Sequence, residues 1–230
     1  MKNFLLCIVL SFLVISCSTE SDFNHSVTPH SIAVALQSKS QIPLNNANPF
    51  DTAGKKYFDL LNIYLKNNKV PNSIKGVTEQ IQFLSKNYGS ASFTSRSTVA
   101  FTPEQVTLIM GDPINQLRII LESCSLSTEV KHYLVNFLQA LVEQQGLEYP
   151  ELYHFIISYE TGIIESTLLN EDEKETILTV SSISRYALYV DSKHKDRDWE
   201  TSVGNKTVQP IFDSYHGTII TVIASLRKLL

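Results

Sequence analysis

The sequence has 230 residues, of which 43% are hydrophobic and 18% charged, and its formal net charge is −4 at pH 7 with neutral histidines. An acidic chain of this kind is a poor partner for nucleic acid, because a phosphate backbone requires a basic face. The length and the apolar content are enough for one substantial hydrophobic core, so one folded domain is expected.

The first segment predicts export from the cytoplasm. An apolar run from Phe4 to Ile15 follows a short start whose only charged side chain is Lys2. A helix needs roughly 20 apolar residues to cross a bilayer core, so this run is too short to stay in a membrane. A basic start followed by a short apolar stretch is typical of a secretory signal peptide.

The apolar run ends at VISC, residues 14–17, which resembles the lipobox of bacterial lipoproteins. This resemblance implies that residues 1–16 are removed as a signal peptide and that Cys17 receives acyl chains such as palmitate. Each acyl chain stabilises membrane attachment by roughly 0.8 kcal/mol per buried CH₂. The next residues, STESD, resemble the acid-containing export signal of surface lipoproteins in Bacteroidota. The expected location is the cell envelope, lipid-anchored to the outer membrane on its surface or its periplasmic face.

The three cysteines do not predict a disulfide. Cys7 lies in the signal peptide and Cys17 is the acylation site, which leaves Cys124 alone. Cys124 falls at the end of a predicted helix, where the helix dipole disfavours a thiolate. We expect Cys124 to act as a small buried apolar group rather than as a nucleophile.

Residues 17–47 are expected to form a flexible tether. They are rich in Ser, Asn, Gln and Thr and contain Pro29 and Pro43, with IAVAL at 32–36 as the only apolar interruption. That pentad is compatible with a short strand or with packing on the domain, and the sequence does not decide between them. A flexible chain of about 30 residues reaches roughly 30 Å, enough to hold a domain clear of the lipid headgroups.

Residues 48–230 predict an all-α domain, because apolar residues recur at helical spacing and no alternating strand pattern competes. Asn48 is expected to cap the first helix, with Pro49 as its first residue, and Gly146 is expected to stop the fifth. The predicted helices cover about 49–65, 73–86, 103–110, 113–123, 128–145, 150–167, 171–190 and 208–230. The expected fold is an irregular bundle of about six to eight helices.

The domain begins with the heptapeptide NPFDTAG at 48–54. Together with the helical sequence that follows, it resembles a group of uncharacterised secreted and lipid-anchored helical proteins of Bacteroidota that share an N-P-[FY]-D-x-x-G start. Members of that group often continue G-x-x-H-N, whereas Tyr57 and Phe58 stand at those two positions in this sequence, so no role of that histidine carries over. The resemblance implies an envelope location and a helical domain, and it implies no activity.

Acid-x-x-His pairs suggest a metal centre. A carboxylate followed three residues later by a histidine, on two helices of a bundle, builds the dinuclear site of ferritin-like proteins. Such pairs occur at Glu129/His132, at Glu151/His154 and at Asp213/His216, and the candidate ligands are Glu151, His154, Asp213 and His216. Residues placed at intervals of about 100° turn His154 away from the apolar face of its helix, as they do His132, whereas His216 lies at the edge of its apolar stripe. A metal-dependent oxidoreductase is therefore an alternative hypothesis.

Other catalytic patterns are missing from the sequence. It contains no G-x-S-x-G, no H-E-x-x-H and no glycine-rich phosphate loop. Glu160 and Glu165 fall on one predicted helix and are expected at a side and a solvent position rather than as an acid/base pair, because glycosidases recruit carboxylates from separated segments. A binding protein without a cofactor is expected rather than an enzyme.

Two segments are the candidate binding surfaces. The first is a Ser/Thr-rich loop at 87–101, which contains Ser92, Phe93 and Arg96. The second is a charged segment around Trp199, the only tryptophan, which as an exposed loop would present an aromatic anchor to a partner. The alternative is that Trp199 folds back onto the core.

The leading hypothesis from the sequence is a cell-envelope lipoprotein whose helical domain binds another envelope or extracellular protein or a small ligand. Its partners would be the membrane, through the lipid anchor, and that protein or ligand, but not nucleic acid. One alternative is the metal-dependent, ferritin-like dinuclear oxidoreductase. The other is an envelope self-protection (immunity) protein that neutralises a toxin.

Overall fold

The computed structural model describes residues 42–88, 101–144, 146–201 and 214–229, with side chains at all of them except 195–201, 214–216, 225 and 227–229. These residues form helices joined by turns and short irregular segments, and no strand occurs among them. The predicted all-α fold is confirmed. The helices are α1 (Asp51–Asn67), α2 (Ile74–Tyr88), α3 (Pro103–Gly111), α4 (Pro113–Glu122), α5 (Thr128–Glu143), α6 (Tyr149–Glu165), α7 (Glu171–Thr201) and α8 (Ser214–Leu229).

Side-chain caps set several helix starts where the sequence predicts them. At α3 the Thr102 hydroxyl accepts the Gln105 N–H, and the Gln105 side chain accepts the Thr102 N–H, which completes a capping box. Asp112 caps α4 by accepting the Asn115 N–H. Each cap satisfies a backbone donor that the first helical turn leaves without an internal partner.

The first helix starts later than predicted. Helix α1 begins at Asp51, not at Pro49, and the residue before it, Phe50, makes no capping hydrogen bond through its side chain. The Asn48 side-chain oxygen instead accepts the Phe50 N–H at 2.8 Å, and the Asn48 carbonyl accepts the Asp51 N–H at 3.1 Å. Asn48 therefore forms a turn ahead of the helix, a local bond that Asn side chains make readily.

Helix α7 is longer than predicted and includes part of the segment expected to be a loop. It was expected to end at Val190 but continues to Thr201. No glycine or proline occurs between Glu171 and Thr201, and Lys, Arg and Glu in the second half are good helix formers. The charged segment around Trp199 is therefore helical backbone rather than loop as far as residue 201, because nothing in it breaks a helix.

Helix α7 is also the centre of the bundle, in contact with α1, α5, α6 and α8. All residues from 177 to 188 are buried, so this stretch has no solvent face. Its buried hydroxyl groups bond within the helix or to neighbours; the Ser184 hydroxyl, for example, donates to the Val180 carbonyl at 2.9 Å. Small serines allow close approach of other helices, and back-bonding to the previous turn satisfies their hydroxyls.

Helix α8 packs its apolar residues into the same core. Ile219, Ile220, Val222 and Ile223 are buried, as expected for an amphipathic core helix. Among the described residues, no helix combines the length and the apolar character needed to cross a membrane.

A short segment before α1 lies against the bundle. Residues 42–48, named here the strap, alternate between exposed Ile42 and Leu44 and buried Pro43 and Asn45. The Tyr153 hydroxyl donates to the Leu44 carbonyl at 3.0 Å, which fixes the strap to α6. The packed domain thus includes residues 42–47, which the sequence assigned to the tether.

Candidate functional site

The most polar region of the interior is an ionic cluster around Arg185 of α7. One guanidinium nitrogen, Nη2, donates to Asp51 Oδ1 of α1 and to Glu160 Oε1 of α6, the second at 3.1 Å. Arg185 and Glu160 are fully buried, and Asp51 is 7% exposed. The cluster therefore joins α1 to the consecutive helices α6 and α7, which lie far from it in the sequence.

Glu160 receives hydrogen bonds from four side chains. Asn45 of the strap donates to Oε2 at 2.6 Å, and Asn48 donates to Oε1 at 3.0 Å. Ser181 and Arg185 of α7 lie 2.9 and 3.1 Å from the same Oε1. Every one of these contacts can be made with the partner as donor, so the carboxylate acts as an acceptor, which is how an ionised carboxylate is stabilised in an interior.

Asp51 of α1 also accepts hydrogen bonds from side chains of α7. The Tyr186 hydroxyl donates to Oδ2 at 3.0 Å, and the Ser182 hydroxyl lies 3.2 Å from the Asp51 carbonyl and 3.3 Å from Oδ1. Ser182 also accepts the Gly54 N–H at 3.2 Å. A Cβ atom at Gly54 would lie 2.3 Å from Ser182 Oγ and 2.6 Å from the Ser182 carbonyl oxygen. Only glycine permits this approach of α1 to α7.

The electrostatics keep Arg185 charged. Burial lowers the pKa of its guanidinium, but the charge of Glu160 and the bonds and charge of Asp51 outweigh that effect, so the pKa ends above its usual value. Burial, followed by the charge of Asp51, raises the pKa of Tyr186, which stays a neutral donor. The cluster places two carboxyl groups against one guanidinium.

Part of the Arg185 guanidinium makes no hydrogen bond with the described residues. Arg185 Nε and Nη1 and the buried hydroxyl of Tyr149 have no hydrogen-bond partner in the part of the chain described. Tyr149 packs its ring 5.4 Å from that of Tyr189, and burial raises the pKa of its hydroxyl despite the nearby charge of Arg185. The cluster is therefore fully bonded on its carboxylate side only.

The cluster explains the heptapeptide at 48–54. Asn48 binds Glu160 and the Leu178 carbonyl, Asp51 binds Arg185, and Gly54 admits Ser182. All three residues contact the neighbouring helices and are buried or, for Gly54, closely packed. The spacing N-P-F-D-x-x-G thus serves helix packing, because each polar member satisfies a buried partner.

A second region on the same helix is a small cleft between α1, α2, α7 and α8. It has a volume of about 60 Å³ and is lined mostly by apolar side chains, among them Leu61, Val77 and Val190. Gln80 also lines it and is 9% exposed. The Gln80 carboxamide makes no hydrogen bond with any described residue. Gly217 of α8 borders the cleft, and a Cβ atom there would meet nothing within 4 Å.

Two of the four residues proposed for a metal site, Glu151 and His154, lie in the described part of the chain. Glu151 lies in the first turn of α6 and accepts the Glu148 N–H at 3.2 Å, and His154 is exposed, as the helix-face argument predicts. Asp213 and the side chain of His216 lie outside the described residues. The described residues contain no group of three or more His, Cys, Asp or Glu side chains placed to hold a metal ion.

Several other candidate residues fall outside the described part of the chain. These are Cys17, Ser92, Phe93, Arg96 and the side chain of Trp199. Their predicted roles stay predictions.

Cys124 follows α4 and is half-buried rather than buried. Its thiol donates to the Ile120 carbonyl at 3.2 Å. Burial raises the pKa of the thiol, although a bond with Ser123 and the charge of Lys131 oppose the shift. A raised pKa favours the thiol over the nucleophilic thiolate, in agreement with the expected inert role.

Sequence reasoning missed the central position of Glu160, which is not at a side of its helix but fully buried. The signal was present, because Glu160 lies four residues after Ile156 and three before Ile163, both on the core stripe of α6. A carboxylate on an apolar stripe predicts a buried partner of opposite charge. A search of the sequence for a cation on another buried helix face would have pointed to Arg185. Glu165 is exposed, as expected.

Comparison of this chain with protein-family models, with curated proteins and with solved structures found no match.

Proposed function

We propose that this chain is a cell-envelope lipoprotein, anchored through acyl chains on Cys17, whose helical domain binds another envelope protein at the cleft between α1, α2, α7 and α8. The lipobox-like VISC at 14–17 supports the anchor. The observation that carries the binding role is the cleft itself, which is lined mostly by apolar side chains and by the Gln80 carboxamide, and that carboxamide makes no hydrogen bond with a described residue. Apolar walls with a few polar groups are the usual lining of a binding cleft.

The ionic cluster is the less suitable site for a ligand. Its two carboxylates already receive hydrogen bonds from the strap and from α7, and Arg185 and Glu160 are fully buried. A substrate at the unbonded Nε and Nη1 of Arg185 would have to reach an enclosed interior. We assign the cluster to the stability of the fold, since ligand sites are concave and open to solvent with a few free polar groups.

The anchor is tested by metabolic labelling with an alkyne-bearing palmitate analogue in the native host. The wild-type chain should carry the label and fractionate with membranes, whereas Cys17→Ser should carry none and lose membrane retention. Equal labelling of the two proteins would exclude acylation at Cys17.

The binding role is tested by photocrosslinking on intact cells. A photoreactive amino acid at Val70, which lines the cleft and is 44% exposed, should give one discrete adduct. The same amino acid at Ile119 of α4, which is 50% exposed and away from the cleft lining, is the matched control. An adduct formed equally from both positions, or from neither, would contradict binding at the cleft.

A further inference from the structure

Two buried polar groups on neighbouring helices have hydrogen-bonding capacity that the described residues do not use. Arg185 of α7 is fully buried, and its Nε and Nη1 atoms have no hydrogen-bond partner in the described part of the chain. Tyr149, the first residue of α6, is 6% exposed, and its buried hydroxyl is also without such a partner. Native interiors rarely leave such groups unpaired, because each one gives up hydrogen bonds to water on folding.

The two groups lie near each other. Tyr189 follows Arg185 by four residues in α7, so their side chains are neighbours on one face of that helix. The ring of Tyr149 packs against that of Tyr189, with 5.4 Å between the ring centroids. Burial raises the pKa of Tyr149, and the charge of Arg185 opposes that rise. Packing and electrostatics therefore both place the Tyr149 hydroxyl close to Arg185.

The chemistry of the two groups selects the kind of molecule that can satisfy them. Nε of an arginine carries one N–H and Nη1 carries two, and neither nitrogen can accept a hydrogen bond. A neutral tyrosine hydroxyl donates one hydrogen bond and can also accept. The bound molecule must therefore accept hydrogen bonds, which excludes a metal cation or an ammonium group.

The surroundings of Arg185 favour a neutral acceptor over an anion. Asp51 and Glu160 already bind the same guanidinium. An anion at Nε or Nη1 would share this one cation with both carboxyl groups. Water is neutral, accepts hydrogen bonds as well as donating them, and is the usual partner of buried polar groups that a chain leaves unpaired. It is also small enough to enter an enclosed interior during brief local opening.

We propose that ordered water is bound in the interior between Arg185 and Tyr149, where it accepts hydrogen bonds from the guanidinium and shares one with the tyrosine hydroxyl. This site is independent of the cleft and of the partner proposed for it. The water gives the ionic cluster a further connection to α6, through atoms of Arg185 that Asp51 and Glu160 do not use.

A crystal structure of the mature chain, residues 17–230 with Cys17→Ser to keep it in aqueous solution, tests the site directly. Electron density for water should lie within hydrogen-bond distance of Arg185 Nε or Nη1 and lead to the Tyr149 hydroxyl. Crystals soaked in sodium bromide separate water from an anion, because bromide gives an anomalous signal and water does not. An anomalous peak at Arg185, direct bonds of both groups to protein atoms, or no density beside them would each overturn the proposal.

Two tyrosine variants test the hydrogen bond to Tyr149 in solution, with the exchange of internal water measured by oxygen-17 relaxation dispersion. Tyr149→Phe removes one hydrogen bond of the bound water and should speed its exchange about two- to tenfold. Tyr159→Phe is the matched control, because the Tyr159 hydroxyl donates directly to the Tyr133 carbonyl at 3.2 Å, and it should leave the exchange unchanged.

This readout does not depend on a change in stability. Immobilising a water molecule costs entropy, so Tyr149→Phe can loosen the water without lowering the free energy of unfolding. An unchanged exchange rate in Tyr149→Phe, or the same increase in both variants, would contradict a water shared between Tyr149 and Arg185.

Discussion

Helix α7 passes through two polar regions that differ in how their side chains are partnered. Around residues 181–186 it meets a buried ionic cluster whose carboxylates bind five surrounding side chains besides Arg185. Around residues 187–194 it borders a cleft that is lined mostly by apolar side chains, with Gln80, Asp191 and His194 among its polar residues. The difference teaches that buried polarity alone does not mark a ligand site, because a ligand also needs open volume to enter.

The largest change should come from removing the central cation. Arg185→Met leaves Asp51 and Glu160 buried without a counter-charge, and breaking a buried pair costs about 3–5 kcal/mol. The free energy of unfolding from urea titration should fall by that amount. Arg118→Met, at an exposed position of α4, is the matched control and should change it little. A loss of stability no greater than that of the control would mean that the cluster does not hold the fold.

Two tyrosine hydroxyls should differ in their contribution to the free energy of unfolding. Tyr186→Phe removes a hydrogen bond to a carboxylate and should cost about 1.5–3 kcal/mol. Tyr149→Phe removes a buried hydroxyl without a described partner and should be neutral or stabilising. Both are measured by chemical denaturation of the same full chain. Equal losses would show that Tyr149 has a partner of comparable strength.

Two glycines compare the cluster with the cleft directly. Gly54→Ala forces a Cβ atom against Ser182 and should destabilise by about 1–3 kcal/mol, as overpacking does. Gly217→Ala meets open space in α8 and should stabilise by about 0.5–1 kcal/mol, the usual gain of alanine over glycine in a helix. Thermal unfolding measures both. If both variants changed the free energy of unfolding in the same direction, the close packing at Gly54 and the open space at Gly217 would not have different effects on stability.

The smallest predicted effect is a pH dependence of stability at a residue that lies in neither the ionic cluster nor the cleft. Hydrogen bonds from Ser127 and from the Asn170 backbone lower the pKa of Glu173 at the start of α7. A group whose pKa is lower in the folded state adds stability above its unfolded pKa, and that stability is lost as the pH falls through the folded pKa. Glu173→Gln should therefore lose stability at pH 7 and approach the parent at pH 3. The exposed Glu165→Gln should show no such convergence with acid.

Local features of the fold could be predicted because their causes are local. Cap residues such as Thr102 and Asp112 act on backbone groups three residues away, and the apolar period of each helix is visible within two or three turns. The start of α1 was wrong by two residues because the Asn48 side chain is used in a turn and at Glu160 rather than as a cap.

The ionic cluster could not be predicted as a unit. Asp51 and Arg185 are 134 residues apart, and nothing in the sequence near either one indicates the other. Helix α7 is buried on all sides between residues 177 and 188, so its serines and its arginine give no amphipathic pattern there. The cleft was missed for the same reason, since its walls come from four helices whose arrangement follows only from packing.

The strap has a mechanical consequence. Any load applied through the chain before Ile42 meets the hydrogen bonds at the Leu44 carbonyl and the Asn45 side chain before it reaches α1. Those bonds end on Tyr153 and Glu160, both in α6, so tension passes into the middle of the bundle instead of unwinding the first helix from its end. A domain pulled by its amino terminus should therefore yield abruptly, in one step, once these contacts break.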